Sequence, residues 1–201
     1  MNYKNSRDAA WQLLIKHKIS ELPVNLSKIC KAEHIRLFTY KEGAKLIEKF
    51  NLEENMIDND AFSISRIIFY DDTKIITRQR FSVAHEMGHI FLHSSKEATI
   101  YNREPTPNDN PIESEANIFA SRLLAPLCVL HYLNVQSPEE IAEICRISMA
   151  AARIRMERLT DIRKRDEAFR RSSGRGCFLI SPLEKDVYTR FAKFIKENQK
   201  L

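Results

Sequence analysis

Residues 81–93, FSVAHEMGHIFLH, hold His85, Glu86 and His89 in the order H-E-x-x-H. A helix sets residues four apart on one face, one turn along its axis. His85 and His89 therefore present two imidazoles to a single metal ion. Glu86 follows the first of them and reaches a water on that metal. Two nitrogen ligands and a carboxylate base are the arrangement of zinc hydrolases. The flanks favour a helix: Val83, Met87 and Ile90 recur at helical spacing, and no proline interrupts the run. Gly88 is one of only four glycines in the chain. A glycine inside a helix costs about 1 kcal/mol relative to alanine. Its presence implies a neighbour too close for a side chain, either a second helix or a substrate backbone. The plain alternative is a chance pentad on an ordinary amphipathic helix, and a third ligand must decide.

The helical pattern returns at residues 112–126, IESEANIFASRLLAP, and stops at Pro126. Glu113 and Asn117 lie four apart on one face. A carboxylate near the start of a helix after the pentad helix can complete the ligand set. Asn117, one turn on, can hydrogen-bond a ligating histidine and fix its tautomer. Glu115 competes as a ligand. It lies about 200° round the helix from Glu113, so both cannot face the metal. Glu113 is preferred because only it has a polar partner one turn later. A solvated acidic first turn, favoured by the helix dipole, is the bland reading. His93 continues the i, i+4, i+8 series from His85 and His89. On a straight helix it lies about 12 Å from His85, too far to share its metal. It reads as a helix-end residue beside the site.

The chain's 201 residues fit one domain, or one domain with a small appendage. No apolar run approaches a membrane span, and the N-terminal residues lack the apolar block of a signal peptide. Cys30, Cys128, Cys145 and Cys177 are far apart and form no C-x-x-C. Reduced thiols in a cytoplasm are the expectation. The net charge of +5 is unevenly spread. Residues 153–175 hold nine basic residues against four acidic ones, an excess equal to that of the whole chain.

Taken in order, residues 6–18 read as a helix with Ala9, Ala10, Leu13 and Leu14 on its apolar face and Trp11 flanking. Leu26, Ile29 and Cys30 suggest a short second helix. Residues 35–40 alternate as a strand, residues 42–50 read as a helix, and residues 51–60 as a polar loop. Residues 63–70 and 75–77 read as a hairpin around the polar turn 71–74. Its edge offers an extended peptide a strand to pair with, and a purely core-building hairpin is equally consistent. Residues 94–111, with Pro105, Pro107 and Pro111, form a long loop beside the site. Tyr101 and Arg103 are its candidates for stabilising an oxyanion, against a reading as solvated loop residues.

In the last third, Ser137-Pro138-Glu139-Glu140 starts a helix that runs to about residue 146. Ser148 caps another over residues 149–160, carrying Arg153, Arg155 and Arg158. The pair at 137–160 resembles a helix-turn-helix, with a core-completing helical pair as the preferred alternative. Residues 172–176 make a flexible break, residues 177–180 a strand, and residues 182–199 a terminal helix with Leu183, Val187, Phe191, Phe194 and Ile195 on one side. The basic stretch suits a phosphate or acidic partner. It lacks the aromatic interleaving of a single-strand binder, and a solvated helix surface is the commoner explanation.

The segments RQRFSVAHEMGHIFLH and IESEANIFASRLLAP together resemble the ImmA/IrrE metallopeptidases. Arg80-Phe81, His85 to His89, His93, Glu113 to Asn117, Phe119-Ala120 and Leu123 to Pro126 match that family's pattern position by position. The likeness extends over roughly residues 5–160, including the N-terminal LPVNLSKICKAEHIRL. The resemblance implies an α+β, zincin-like domain, mostly helical around a small β-sheet. It implies His85, His89 and Glu113 as ligands of one Zn2+, with Mn2+ an alternative, and Glu86 as catalytic acid/base. It also implies a cytoplasmic endopeptidase that cuts a helix-turn-helix repressor, often encoded beside it on mobile elements, and so relieves repression. The expected organisation is a peptidase domain over 1–135, with the active-site helix at 81–93 and the third-ligand helix at 112–125, and a helical extension over 136–201. The alternative from another class is an inactive DNA- or protein-binding regulator that uses the basic C-terminal helices. Nucleic acid is not the favoured partner, and no membrane is expected.

Overall fold

The computed structural model describes residues 3–57, 59–93, 110–173 and 181–199. The chain forms two compact units, one from Met1–Ala10 and Asn25–Ser121, the other from Trp11–Val24 and Arg122–Leu201. The elements in order are α1 (Tyr3–Lys16), α2 (Leu26–Ala32), β1 (Arg36–Thr39), α3 (Tyr40–Lys49), α4 (Glu54–Ile57), β2 (Ala61–Ile64), β3 (Ile67–Tyr70), α5 (Ile76–Leu92), α6 (Pro111–Leu124), α7 (Leu127–Tyr132), α8 (Pro138–Cys145), α9 (Met149–Ser173) and α10 (Pro182–Asn198). Mostly helical around one small sheet, this is the expected α+β architecture. Among the described residues no helix is long and apolar enough to cross a membrane.

The sheet lies in the first unit. Its order is β1-β3-β2, with β3 parallel to β1 and antiparallel to β2. Successive side chains of a strand point to opposite faces, and here one face is aromatic. Phe69 on β3 is registered with Phe38 on β1 and Phe62 on β2. Its ring centroid is 5.1 Å from that of Phe62 and 6.0 Å from that of Phe38. Ile47 and Leu52 are buried against the same cluster. Helix α3 reaches this face because Gly43 has no side chain: a Cβ there would lie 2.5 Å from the Phe69 ring. Thr39 ends β1 and starts α3 in one step. Its hydroxyl accepts from the Glu42 N–H, and the Glu42 carboxylate accepts from the Thr39 N–H, each at 3.0 Å. This capping box draws Tyr40 into the helix, so the strand is shorter than its sequence suggests. Within the expected polar loop 51–60, α4 adds one helical turn.

The hairpin differs from its expected form. Its two strands are β2 and β3, paired from Ile64↔Ile67 outward, so the turn is Ser65-Arg66. Ser65 adopts the left-handed conformation (φ 53°) that such a tight reversal uses. The stretch 75–77 is no strand. Asp71 accepts from the Thr73 N–H at 2.9 Å and from the Thr73 hydroxyl at 2.6 Å. This local turn sends the chain away from the sheet. Gln79 then donates to the carbonyls of Asp72 (3.0 Å) and Lys74 (2.6 Å), and Arg78 pairs with Asp60. Those bonds hold residues 76–80 as the first turns of α5, which begins five residues before the expected 81.

In the second unit, Ser137 caps α8, accepting from the Glu140 N–H at 3.3 Å. Arg146, left-handed at φ 49°, closes that helix. Ser148 caps α9, accepting from the Ala151 N–H at 3.2 Å. The second helix of this pair does not stop near residue 160. The Thr160 hydroxyl bonds back to the Met156 carbonyl at 3.0 Å, within the helix. Arg170 with Asp166 and Arg171 with Glu167 then stabilise the later turns as i, i+4 pairs. Of the three arginines expected on its surface, Arg153 and Arg158 are exposed, whereas Arg155 is 1% exposed and donates to the Ala125 carbonyl. It is part of the core. Trp11, expected at the flank of the first helix, is also buried. Helix α7 was not anticipated. Its Tyr132 ring lies 4.4 Å from Tyr188 of α10, and α10 buries Val187, Phe191 and Ile195. The expected strand at 177–180 lies outside the described residues.

Candidate metal centre

Helix α5 is buried without a break from Ser82 to Ile90. It packs on β2, β3 and α2. Met87 is fully buried, with its sulfur 3.7 Å from Cys30 Sγ on α2. Burial pushes the Cys30 thiol up to about 12, so it stays a neutral packing group. Three titratable side chains share this interior with the apolar ones. His85 is 1% exposed, His89 2% and Glu86 4%. Burying such groups is costly unless they are paired or bind a metal. Their placement on one helix is therefore the first sign of a site.

The second sign is the approach of α6. A Cβ on Gly88 would lie 2.9 Å from Ala116 Cα and 3.2 Å from the Ala116 carbonyl oxygen. The neighbour implied by Gly88 is thus the backbone of α6. Asn110 fixes the start of that helix by accepting from the Ile112 N–H at 3.0 Å. Glu113, Ala116, Asn117 and Ala120 follow at i, i+3, i+4 and i+7, on one face. With α5 and α6 this close, Glu113 and Asn117 reach the histidines.

The arrangement is compact. His85 Nε2 and His89 Nε2 are 2.9 Å apart. The Glu113 carboxylate spans them, one oxygen 3.1 Å from His85 Nε2 and the other 3.2 Å from His89 Nε2. All the donor atoms lie within 4.8 Å of one another. A tetrahedral zinc with bonds of about 2.0–2.1 Å holds its ligand atoms about 3.3 Å apart. The observed spacing fits an ion of that size. Two imidazole nitrogens and one carboxylate suit zinc and its neighbours in the first transition row better than magnesium or calcium, which take oxygen.

His85 Nδ1 lies 2.9 Å from Asn117 Oδ1. The amide oxygen can only accept, so His85 donates to it from Nδ1 and turns Nε2 toward the cluster. Burial tends to raise the Glu113 carboxyl. Its hydrogen bonds to His85 and His89, and their charge, outweigh that and hold it well below the usual carboxylate range. It is present as an anionic donor at neutral pH.

Glu115 is not in this cluster. It faces His93, 3.8 Å from its Nε2. His93 terminates α5, its N–H bonded to the His89 carbonyl at 3.0 Å. Burial, then the charge of His89, lowers its pKa. Glu86 points to the sheet side of α5, where the Ser63 hydroxyl donates to its Oε2 at 2.7 Å. Sequence reasoning missed Ser63, which lies 23 residues away in a strand and within no motif. Tyr101, Arg103 and the rest of 94–109 lie outside the described residues.

No curated protein matches the chain. A family model does match residues 41–157, that of the peptidase M78 family, the IrrE N-terminal-like domain. The match takes in both β2 and β3, the pentad helix and all of α6. It spans more than half of the 201 residues. The chain therefore belongs to the IrrE N-terminal-like family of metallopeptidase domains, and its α+β fold is zincin-like.

Proposed function

We propose that the protein is a zinc endopeptidase that cleaves a regulatory protein, a helix-turn-helix repressor, in the cytoplasm and so relieves repression. One observation carries the catalytic part: His85, His89 and Glu113 converge from two helices, and Glu86, next in chain to His85, is itself buried. The choice of a repressor rests on the resemblance alone.

His85 and His89 would hold the ion through Nε2, and Glu113 through its carboxylate. The bound ion supplies Lewis acidity, polarising a scissile carbonyl and making a water acidic near neutral pH. Glu86 takes a proton from the attacking water and returns it to the leaving amine. Asn117 keeps the His85 ring in the tautomer that binding needs. The deep burial of Glu86 and both imidazoles excludes bulk water and strengthens each of these electrostatic contacts.

The experiment maps new N-termini in the proteome of a host cell producing the protein, against cells producing Glu86→Gln. The proposal predicts a small set of new termini with the unaltered chain alone, at least one within a helix-turn-helix protein. Identical sets in the two cultures would sink the endopeptidase reading. New termini confined to other proteins would keep the peptidase and remove the repressor.

A further inference from the structure

We infer that Ser63 is a positioning residue for Glu86, setting the base from the edge strand of the sheet. The inference rests on the peptidase reading and deepens it. Among the described residues, strand β2 pairs only with β3. Its Phe62 packs into the aromatic cluster with Phe69. By the alternation of a strand, Ser63 points to the other face, and there it meets α5. Ser63 is 6% exposed and its hydroxyl donates to Glu86 Oε2 at 2.7 Å. A buried half of a hairpin ordinarily takes a β-branched or aromatic residue. A serine here places a hydroxyl where strand propensity favours an apolar side chain.

The consequence is geometric. A glutamate side chain turns about three bonds, and a general base must sit within about 2.6–3.2 Å of the proton it removes. Helix α5 fixes only the Glu86 Cα and Cβ. The bond from β2 fixes the far end and with it the plane of the carboxylate. Displacing such a group by about 1 Å can cost on the order of 10²-fold in rate. The sheet thus contributes a second support for the base, independent of the helix that carries the histidines. A peptide binding near that strand edge would also meet a base held from the same strand.

The test compares Ser63→Ala, Ser63→Cys and Ser63→Thr with the unaltered chain, each loaded with zinc. The substrate is a quenched fluorescent peptide built on a cleavage site defined by the new N-termini. Alanine and cysteine are expected to lower kcat by roughly 10–100-fold, the range for removing an outer-shell partner. KM, zinc content and the melting temperature of the near-isosteric cysteine variant are expected to hold. Threonine, which keeps the hydroxyl and suits a strand, is expected to restore kcat. Unchanged kcat in the cysteine variant, or equal loss in the threonine variant, would overturn the inference. So would loss of kcat only in step with loss of zinc, which would make Ser63 a structural residue. A second readout needs no substrate and no metal. The carboxyl 13C resonance of Glu86 should move in Ser63→Ala and return in Ser63→Thr, and an unmoved resonance also overturns the inference. Full cleavage by Glu86→Gln would instead remove Glu86 as the base, and with it the reading on which the inference rests, whatever Ser63 does.

Discussion

Glu86→Gln is expected to retain its metal and lose cleavage, with kcat falling roughly 10²–10⁴-fold, the contribution of a positioned acid/base. The substitution keeps size and shape inside a helix where the side chain is 4% exposed. The amide can still receive the Ser63 hydroxyl, so the local packing survives. Glu86 is not among the groups that converge as donors, which are His85, His89 and Glu113. Metal content should therefore stay at the level of the unaltered chain while turnover disappears. Metal analysis beside steady-state kinetics on one preparation checks both halves. Undiminished turnover would remove Glu86 from the chemistry, and loss of metal would make it part of the binding site.

Gly88→Val should damage the centre without touching any group in it. A Cβ at this position meets backbone atoms of Ala116 at 2.9 Å and 3.2 Å. Backbone cannot swing aside as a side-chain tip can, so α5 and α6 must part. Over-packing of this kind costs about 1–3 kcal/mol. The gain in helix propensity over glycine, less than about 1 kcal/mol for a β-branched residue, offsets only part of that. The larger effect falls on the metal. His85 and His89 ride on one of the two helices and Glu113 on the other. The Glu113 oxygens, now 3.1 Å and 3.2 Å from the two imidazole nitrogens, would be drawn away from the ion. The expected result is a lower melting temperature and a metal affinity reduced more than tenfold, in line with the sensitivity of such sites to displaced partners. Competition with a zinc indicator and thermal unfolding read the two effects. Parental values in both would show that the close approach of the helices is dispensable.

The centre was legible because its logic is local. The i, i+4 spacing puts His85 and His89 on one face whatever surrounds them, and Glu113 and Asn117 repeat that spacing on the next helix. Gly88 pointed to a close neighbour, although only the structure identifies it as Ala116. What stayed hidden depends on contacts between distant residues. Ser63 meets Glu86 through the packing of a strand on a helix, for which no spacing rule exists. Ile75 and Ile76 look like strand residues by composition, yet they are 73% and 56% exposed at the start of α5. The bonds made by Asp71, Arg78 and Gln79 overrode their β propensity. Arg155 reads as a surface charge within an arginine-rich run, and its burial depends on a carbonyl 30 residues earlier. Thr160 looks like a helix end and instead bonds within the helix.

One metal ion is expected to bind where α5 and α6 meet. Elemental analysis of the purified protein beside Glu113→Ala and Glu115→Ala tests it most directly. Close to one zinc per chain is expected, retained in Glu115→Ala and lost in Glu113→Ala. Absence of metal from the unaltered chain even after zinc is supplied, or its loss with Glu115 in place of Glu113, would contradict it.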